Sequence, residues 1–160
     1  MASDRQTRGE DCTCLALRQA ARHVTRCYDQ SLAPAGLRAT QFSILAKLKR
    51  EGHMTINGLA AELVMDRTTL GRNIVPLERD GLIRIEPAAS DRRSKELRLT
   101  KAGAERFEAA RQGWIEAQAR FESSFGSERA SELRERLRAV VASELRARTG
   151  ITESIESRFS

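Results

Sequence analysis

From Cys14 onward, apolar residues recur at steps of three and four through Leu17, Ala21, Val24 and Tyr28, which sets one stripe along a helix ending before Pro34 and Gly36. A second helix is expected from Thr40, whose hydroxyl suits an N-cap, with Phe42, Leu45 and Leu48 on one face and Gly52 as its stop. Thr55 caps a third, in which Ile56, Leu59, Ala60 and Leu63 follow the i, i+3, i+4, i+7 pattern. Gly58 weakens this helix by about 1 kcal/mol relative to Ala and stands where a capping-box Glu would help. Asp66 then suits the N-cap of a fourth helix running toward Asp80 and Gly81, so two short helices stand a tight turn apart.

After Gly81 the period falls to two. Ile83 and Ile85 alternate with Arg84 and Glu86, then Leu97 and Leu99 with Glu96 and Arg98, which predicts a two-stranded hairpin. Its tip, from Pro87 to Ser94, is too polar for a core and should project outward. Thr100 caps a long helix carrying Phe107, Ala110, Trp114, Ala117, Phe121 and Phe125, and Gly126-Ser127 breaks it. A sixth helix with Leu133, Leu137, Val140, Val141 and Leu145 is expected up to Gly150. Ile151, Ile155 and Phe159 then stand four apart, as in a short docked turn.

The fourth helix carries chemistry. At about 100° per residue, Leu70, Ile74 and Leu77 share one side, while Thr68, Thr69, Arg72, Pro76 and Arg79 point to the other and Asn73 lies on the flank. Hydroxyls and guanidinium groups displayed near a helix N-terminus suit the major groove of DNA, where Arg pairs with guanine and Asn with adenine, and the helix dipole favours phosphate. Arg67, Thr68, Thr69, Arg72 and Asn73 are therefore the candidates for DNA contact here. The plainer reading is an ordinary amphipathic surface helix. Pro76 lacks an N–H and disturbs the carbonyl of Arg72, which predicts a bend or an irregular turn there. At the hairpin tip, Arg92 and Arg93 suit an adjacent minor groove, with Asp91 holding an Arg by a carboxylate fork; the alternative is a solvated charged turn.

Composition adds a net charge of +6 and a pI near 9.9, compatible with a polyanionic partner although Arg is spread along the whole chain. No apolar run approaches the roughly 20 residues of a membrane span, and residues 1–11 form a polar arm without the apolar stretch of a signal peptide, so the expected location is cytoplasmic. Only His23 and His53 are histidines and no phosphate-binding glycine loop or H-E-x-x-H occurs, which argues against an enzyme. Cys12, Cys14 and Cys27 make no secreted disulfide framework. If Cys12 and Cys14 are both helical, their side chains diverge by about 160° and share no metal ion; only an unwound N-terminus would let them do so, and no metal and no cofactor are expected.

The run from Leu59 to Gly103, LAAELVMDRTTLGRNIVPLERDGLIRIEPAASDRRSKELRLTKAG, resembles the winged helix-turn-helix of the MarR family in its L-x-x-x-G-L step, its D-x-R wing and its L-T-x-x-G helix start. GLRATQFSILAKL, from Gly36 to Leu48, is similar to the preceding helix, so the resemblance covers about residues 14–148. Gly58 and Pro76 depart from the commonest pattern. The resemblance implies a mainly α fold with a small β-hairpin wing, and a homodimer whose first, fifth and sixth helices interlock so that two recognition helices read a pseudo-palindrome. Independently of it, residues 37–100 suffice for the DNA-binding lobe, and the long amphipathic helices on both sides, residues 12–36 and 101–160, have little of their own core to cover unless a second copy pairs with them. A larger monomeric helical domain is the alternative.

The expected function is sequence-specific regulation of transcription, with release from operator DNA by one of two routes. The resemblance implies a cleft that takes phenolic carboxylates. Arg18 stands at the edge of the first helix's stripe, where Leu17, Ala21, Phe42, Leu45 and Phe107 can supply apolar walls for a small aromatic acid. The run CLALRQAARHVTRCY also resembles the first helix of MarR proteins that sense organic hydroperoxides, with Cys14 at the reactive position and Tyr28 at a supporting tyrosine, but Arg18 stands where a second tyrosine would. A small buried residue in a dimer core is the other reading of Cys14.

Overall fold

The computed structural model describes residues 12–88 and 93–143. These fall into two compact units, one up to Phe121 and one from Glu122. In the first, helix α1 runs Thr13–Leu32. Cys12 is its N-cap, with extended backbone, and Sγ accepts the Leu15 N–H at 3.4 Å. Cys12 therefore lies outside the helix, so the divergence expected of two helical cysteines does not apply to this pair; among the described residues, no three His, Cys, Asp or Glu groups are placed to hold a metal ion. The apolar stripe meets the core only at its C-terminal end, where Leu32 is buried and Tyr28 packs against the cluster, whereas Leu15 and Leu17 are exposed.

A 3-10 turn over Ala33–Ala35 and a left-handed Gly36 (φ 70°) return the chain to α2, Ala39–Glu51. The expected Thr40 cap is replaced by a cap from elsewhere. Asp29 Oδ1, on α1, accepts the Ala39 N–H at 2.7 Å, and Gln41 Oε1 accepts that of Arg38 at 3.0 Å. The tight turn brings the Asp29 carboxylate to the free Ala39 amide, so the helix begins two residues earlier than a Thr40 cap would set it. Phe42, Ile44, Leu45 and Leu48 of α2 are buried.

The wing holds one strand more than the sequence pattern predicts. His53–Thr55 forms β1, and with β2 (Ile83–Pro87) and β3 (Lys95–Leu99) it makes an antiparallel sheet of order β1-β3-β2. Three residues are too short to show an alternation. Pairing sets Met54 opposite Leu97 and Ile85 opposite Leu97 on the core side. On the other side Glu86 faces Glu96, an unfavourable like-charge pair that Arg98 offsets by reaching both carboxylates, at 3.8 and 3.3 Å.

Between β1 and β2 lie α3, Ile56–Glu62, and α4, Arg67–Arg79. Thr55 Oγ1 caps α3 by accepting the Gly58 N–H at 3.0 Å. Leu59 and Ala60 of α3 join Leu70, Ile74 and Leu77 of α4 in the core, together with Ile83 and Leu97. In the turn, Val64 takes a positive φ of 52°. Helix α4 continues through Pro76 without a break to Arg79, so the missing N–H costs a rung but does not end the helix.

Helix α5, Lys101–Phe125, is seated against backbone at two glycines. A Cβ on Gly103 would lie 2.0 Å from the Leu82 carbonyl oxygen, and one on Gly113 would lie 2.2 Å from that of Ser31. Thr100 ties the same corner. Its backbone N–H donates to Leu82 O at 3.1 Å, its Oγ1 donates to Gly81 O at 2.7 Å, and it caps α5 by accepting the Gly103 N–H at 3.0 Å.

The second unit is α6, Ser127–Ala142, entered through Gly126 at φ 96°. Arg134 pairs with Glu122 at 3.1 Å, and the Arg129 guanidinium lies 4.4 Å over the Phe125 ring. Leu137, Val140 and Val141 are exposed. The helix stops at Ala142 rather than Gly150, because Ser143 turns extended and its hydroxyl donates to Val140 O at 2.6 Å. Leu145 and the Ile151, Ile155, Phe159 turn lie outside the described residues.

Gly103→Ala is expected to destabilise the protein by about 3 kcal/mol, since a backbone carbonyl cannot yield as a flexible side chain can. Urea denaturation checks this, and an unchanged midpoint would contradict the seating described.

Candidate nucleic-acid interface

Helix α4 divides its residues among three tasks. Leu70, Ile74 and Leu77 hold it to the core. Asp66, the N-cap, accepts the Thr69 N–H at 2.8 Å and the Thr69 hydroxyl at 2.6 Å. Those hydrogen bonds, the hydroxyl first, hold the Asp66 carboxyl below its ordinary value of 3.8. The third set, Thr68, Arg72, Val75 and Arg79, is spaced by four, three and four and forms one exposed stripe opposite the anchor.

The expected contact residues divide accordingly. Arg67, Thr68 and Arg72 are exposed at the N-terminal half of α4. Thr69 is exposed too, but its hydroxyl hydrogen is committed to Asp66. Asn73 is half-buried and its amide donates to Thr69 O at 2.8 Å, which leaves its carbonyl oxygen and one N–H outward. Arg79 pairs with Asp80 at 2.9 Å. Val75, 60% exposed between two arginines, was not among the sequence-based candidates; the signal that could have found it is an apolar residue at the wrong angle for the core.

The wing is closed by the Ala88 N–H donating to Ser94 O at 2.8 Å, and Arg93 is exposed beside it. Asp91 and Arg92 lie outside the described residues.

The residues expected around an effector come together in part. Phe42 stacks on Phe107 at 4.8 Å between ring centroids and faces Trp114 at 6.1 Å. Leu45 is wholly buried in the core, while Leu17, Arg18 and Ala21 are exposed on α1. Two open grooves of about 570 and 580 Å³ run along the wing, both lined by Arg84, Glu86, Thr100 and Lys101, and none of the expected effector residues borders these two. Cys14 is exposed. The Tyr28 hydroxyl donates to Gln118 Oε1 at 2.5 Å, tying α1 to α5. Fourteen residues of helix place Tyr28 about 21 Å from Cys14 along α1, so the two do not meet within one chain.

Two helices joined by a tight turn, the second anchored by three aliphatics and followed by a β wing, define a winged helix-turn-helix. The MarR family model matches residues 37–95. BadR, a transcriptional activatory protein of Rhodopseudomonas palustris, is 31% identical over 104 residues, covering 63% of this chain and 59% of BadR. The transcriptional regulator MosR of M. tuberculosis, solved in complex with DNA, is 36% identical with a TM-score of 0.71, covering 84% of this chain and 99% of that one. A mutant MarR from E. coli, solved with operator DNA, shares the fold at 21% identity and a TM-score of 0.70, over 78% of this chain and 90% of that one. This chain belongs to the MarR family. No helix among the described residues is long and apolar enough to cross a membrane.

The Asp66 cap gives a pH-dependent expectation. Because folding depresses the Asp66 pKa, its contribution is present above pH 3.8 and is lost as pH falls further. Between pH 5 and pH 2.5, wild-type stability should therefore fall more steeply than that of Asp66→Asn, which keeps an acceptor but cannot titrate. Parallel curves by circular dichroism would contradict the cap assignment.

Proposed function

We propose that this chain is a sequence-specific DNA-binding regulator of transcription that acts as a homodimer on a pseudo-palindromic operator. The observation that carries the reading is the exposed stripe on α4 opposite its buried Leu70, Ile74 and Leu77: a short, firmly anchored helix presenting Thr68 and Arg72 outward. MosR, with its DNA, supports the choice of partner. Arg72 takes the role of base reader, by bidentate pairing to guanine, with Arg67, Thr68, Thr69 and Asn73 beside it. Arg92 and Arg93 reach the backbone or minor groove from the wing, and Asp91 orients one of them. The exposed Leu15 and Leu17 on α1, and Leu137, Val140 and Val141 on α6, support pairing with a second copy, which would remove that apolar surface from water.

For release from DNA we infer a small aromatic acid, bound through Arg18 with Leu17, Ala21, Phe42, Leu45 and Phe107 as apolar surroundings, which makes the protein a ligand-responsive repressor. The stacked Phe42, Phe107 and Trp114 support an aromatic ligand, Trp114 being 37% exposed. The effector must prefer one spacing of the two recognition helices, since equal affinity for both would shift nothing. Exposure of Cys14 favours the second reading, oxidation of that thiol, in which Tyr28 can act only from the partner chain.

Arg72→Ala should weaken operator binding by about 1 to 3 kcal/mol and relax discrimination at one base step per half-site, whereas Arg92→Ala should weaken all duplexes alike and lower the salt dependence. Titrations at two salt concentrations decide this; unchanged affinity in both variants would remove the assignments. Truncation before Ser127 should abolish the dimer by sedimentation, and a truncated dimer that still bound DNA would contradict the proposed pairing. Arg18→Ala should abolish release by aromatic acids while Cys14→Ser leaves it intact. The reverse, with release by hydroperoxide lost in Cys14→Ser, would establish the thiol route in its place.

A further inference from the structure

Val75 has no structural task in α4. It lies on the stripe with Thr68, Arg72 and Arg79, opposite the buried anchor, and is 60% exposed. A β-branched residue there lowers helix propensity and leaves apolar area in water, where a Lys or Gln would serve a solvated helix better. Of the nine large hydrophobic residues exposed among the described ones, seven lie on α1, α5 and α6, the helices in which the proposed second copy pairs. Val75 is not among them. Its outward neighbours at i−3 and i+4 are the arginines Arg72 and Arg79, so no apolar partner within α4 shields it.

The major groove offers one apolar feature to such a side chain, the C5-methyl group of thymine. We infer that Val75 is a specificity-determining residue that packs its methyl groups on a thymine methyl in each half-site, next to the base read by Arg72. This rests on the DNA-binding reading of α4 proposed above. It also redistributes the work of the helix. Thr69 gives its hydroxyl hydrogen to Asp66 and Asn73 gives one amide hydrogen to Thr69 O, so Thr68, Arg72 and Val75 lead the outward face, with Arg67 and the remaining Asn73 amide groups beside them.

The test uses the full chain and a duplex it enriches from random-sequence DNA, with each thymine replaced in turn by deoxyuridine, which lacks only the methyl. Wild type should lose about fourfold in affinity at one thymine of each half-site, the value of one methyl withdrawn from water. Val75→Ala should bind the thymine duplex about that much more weakly and lose nothing further on deoxyuridine, with Val75→Thr, which keeps one methyl, between the two. An enriched duplex that tolerates every deoxyuridine, or a deoxyuridine penalty undiminished in Val75→Ala, would overturn the inference and leave the DNA-binding reading standing. Enrichment of no duplex at all would overturn both.

Discussion

Helix α5 rests directly on two backbone carbonyls, and that contact sets its place against the core built by α2, α3, α4 and the sheet. At Gly103 it touches the Leu82 oxygen, in the turn that joins α4 to the wing; at Gly113, nearly three helical turns on, it touches the Ser31 oxygen at the end of α1. Between them Phe107 stacks on Phe42 and Ala110 is buried, so α5 meets backbone at its two glycines and side chains in between. Thr100 adds hydrogen bonds to Gly81 and Leu82, which fixes where α4 ends and where the wing begins. Close-packed interiors transmit displacement rather than absorb it. A shift of α5 at Gly103 is therefore felt at Leu82, where α4 gives way to the wing.

Within α4 the same economy holds. Three aliphatics anchor one side, Asp66 ties the first turn through both the amide and the hydroxyl of Thr69, and Asn73 folds back on the carbonyl of Thr69. These internal bonds remove groups that would otherwise compete for DNA, and they hold the outward stripe in place before any partner arrives. Preorganisation of this kind lowers the ordering cost of binding.

Most of the helices were readable from the chain because their signals are local: the Thr55, Asp66 and Thr100 caps, the Gly126 break and the three-four spacing of apolar residues each act within a few positions. What escaped was set by distant partners. The cap of α2 comes from Asp29, ten positions back and on another helix. Strand β1 exists because β3 offers an edge to His53–Thr55, not because three residues carry a pattern. The candidate site was readable as a set of residue types. Its division of labour was not, because the engagement of Thr69 and Asn73 with their own helix, and the exposure of Val75, depend on rotamers and angles that spacing alone does not set.

The central claim is that the outward stripe of α4 enters the major groove at two symmetric half-sites. Dimethyl sulfate interference tests it most directly, because methylation falls on guanine N7 in the major groove and on adenine N3 in the minor groove. The account predicts interference at guanine N7 in two clusters, related by two-fold symmetry and separated by about one helical turn, roughly 10 base pairs, or a multiple of it. Interference confined to adenine N3, or a single unpaired cluster, would contradict it.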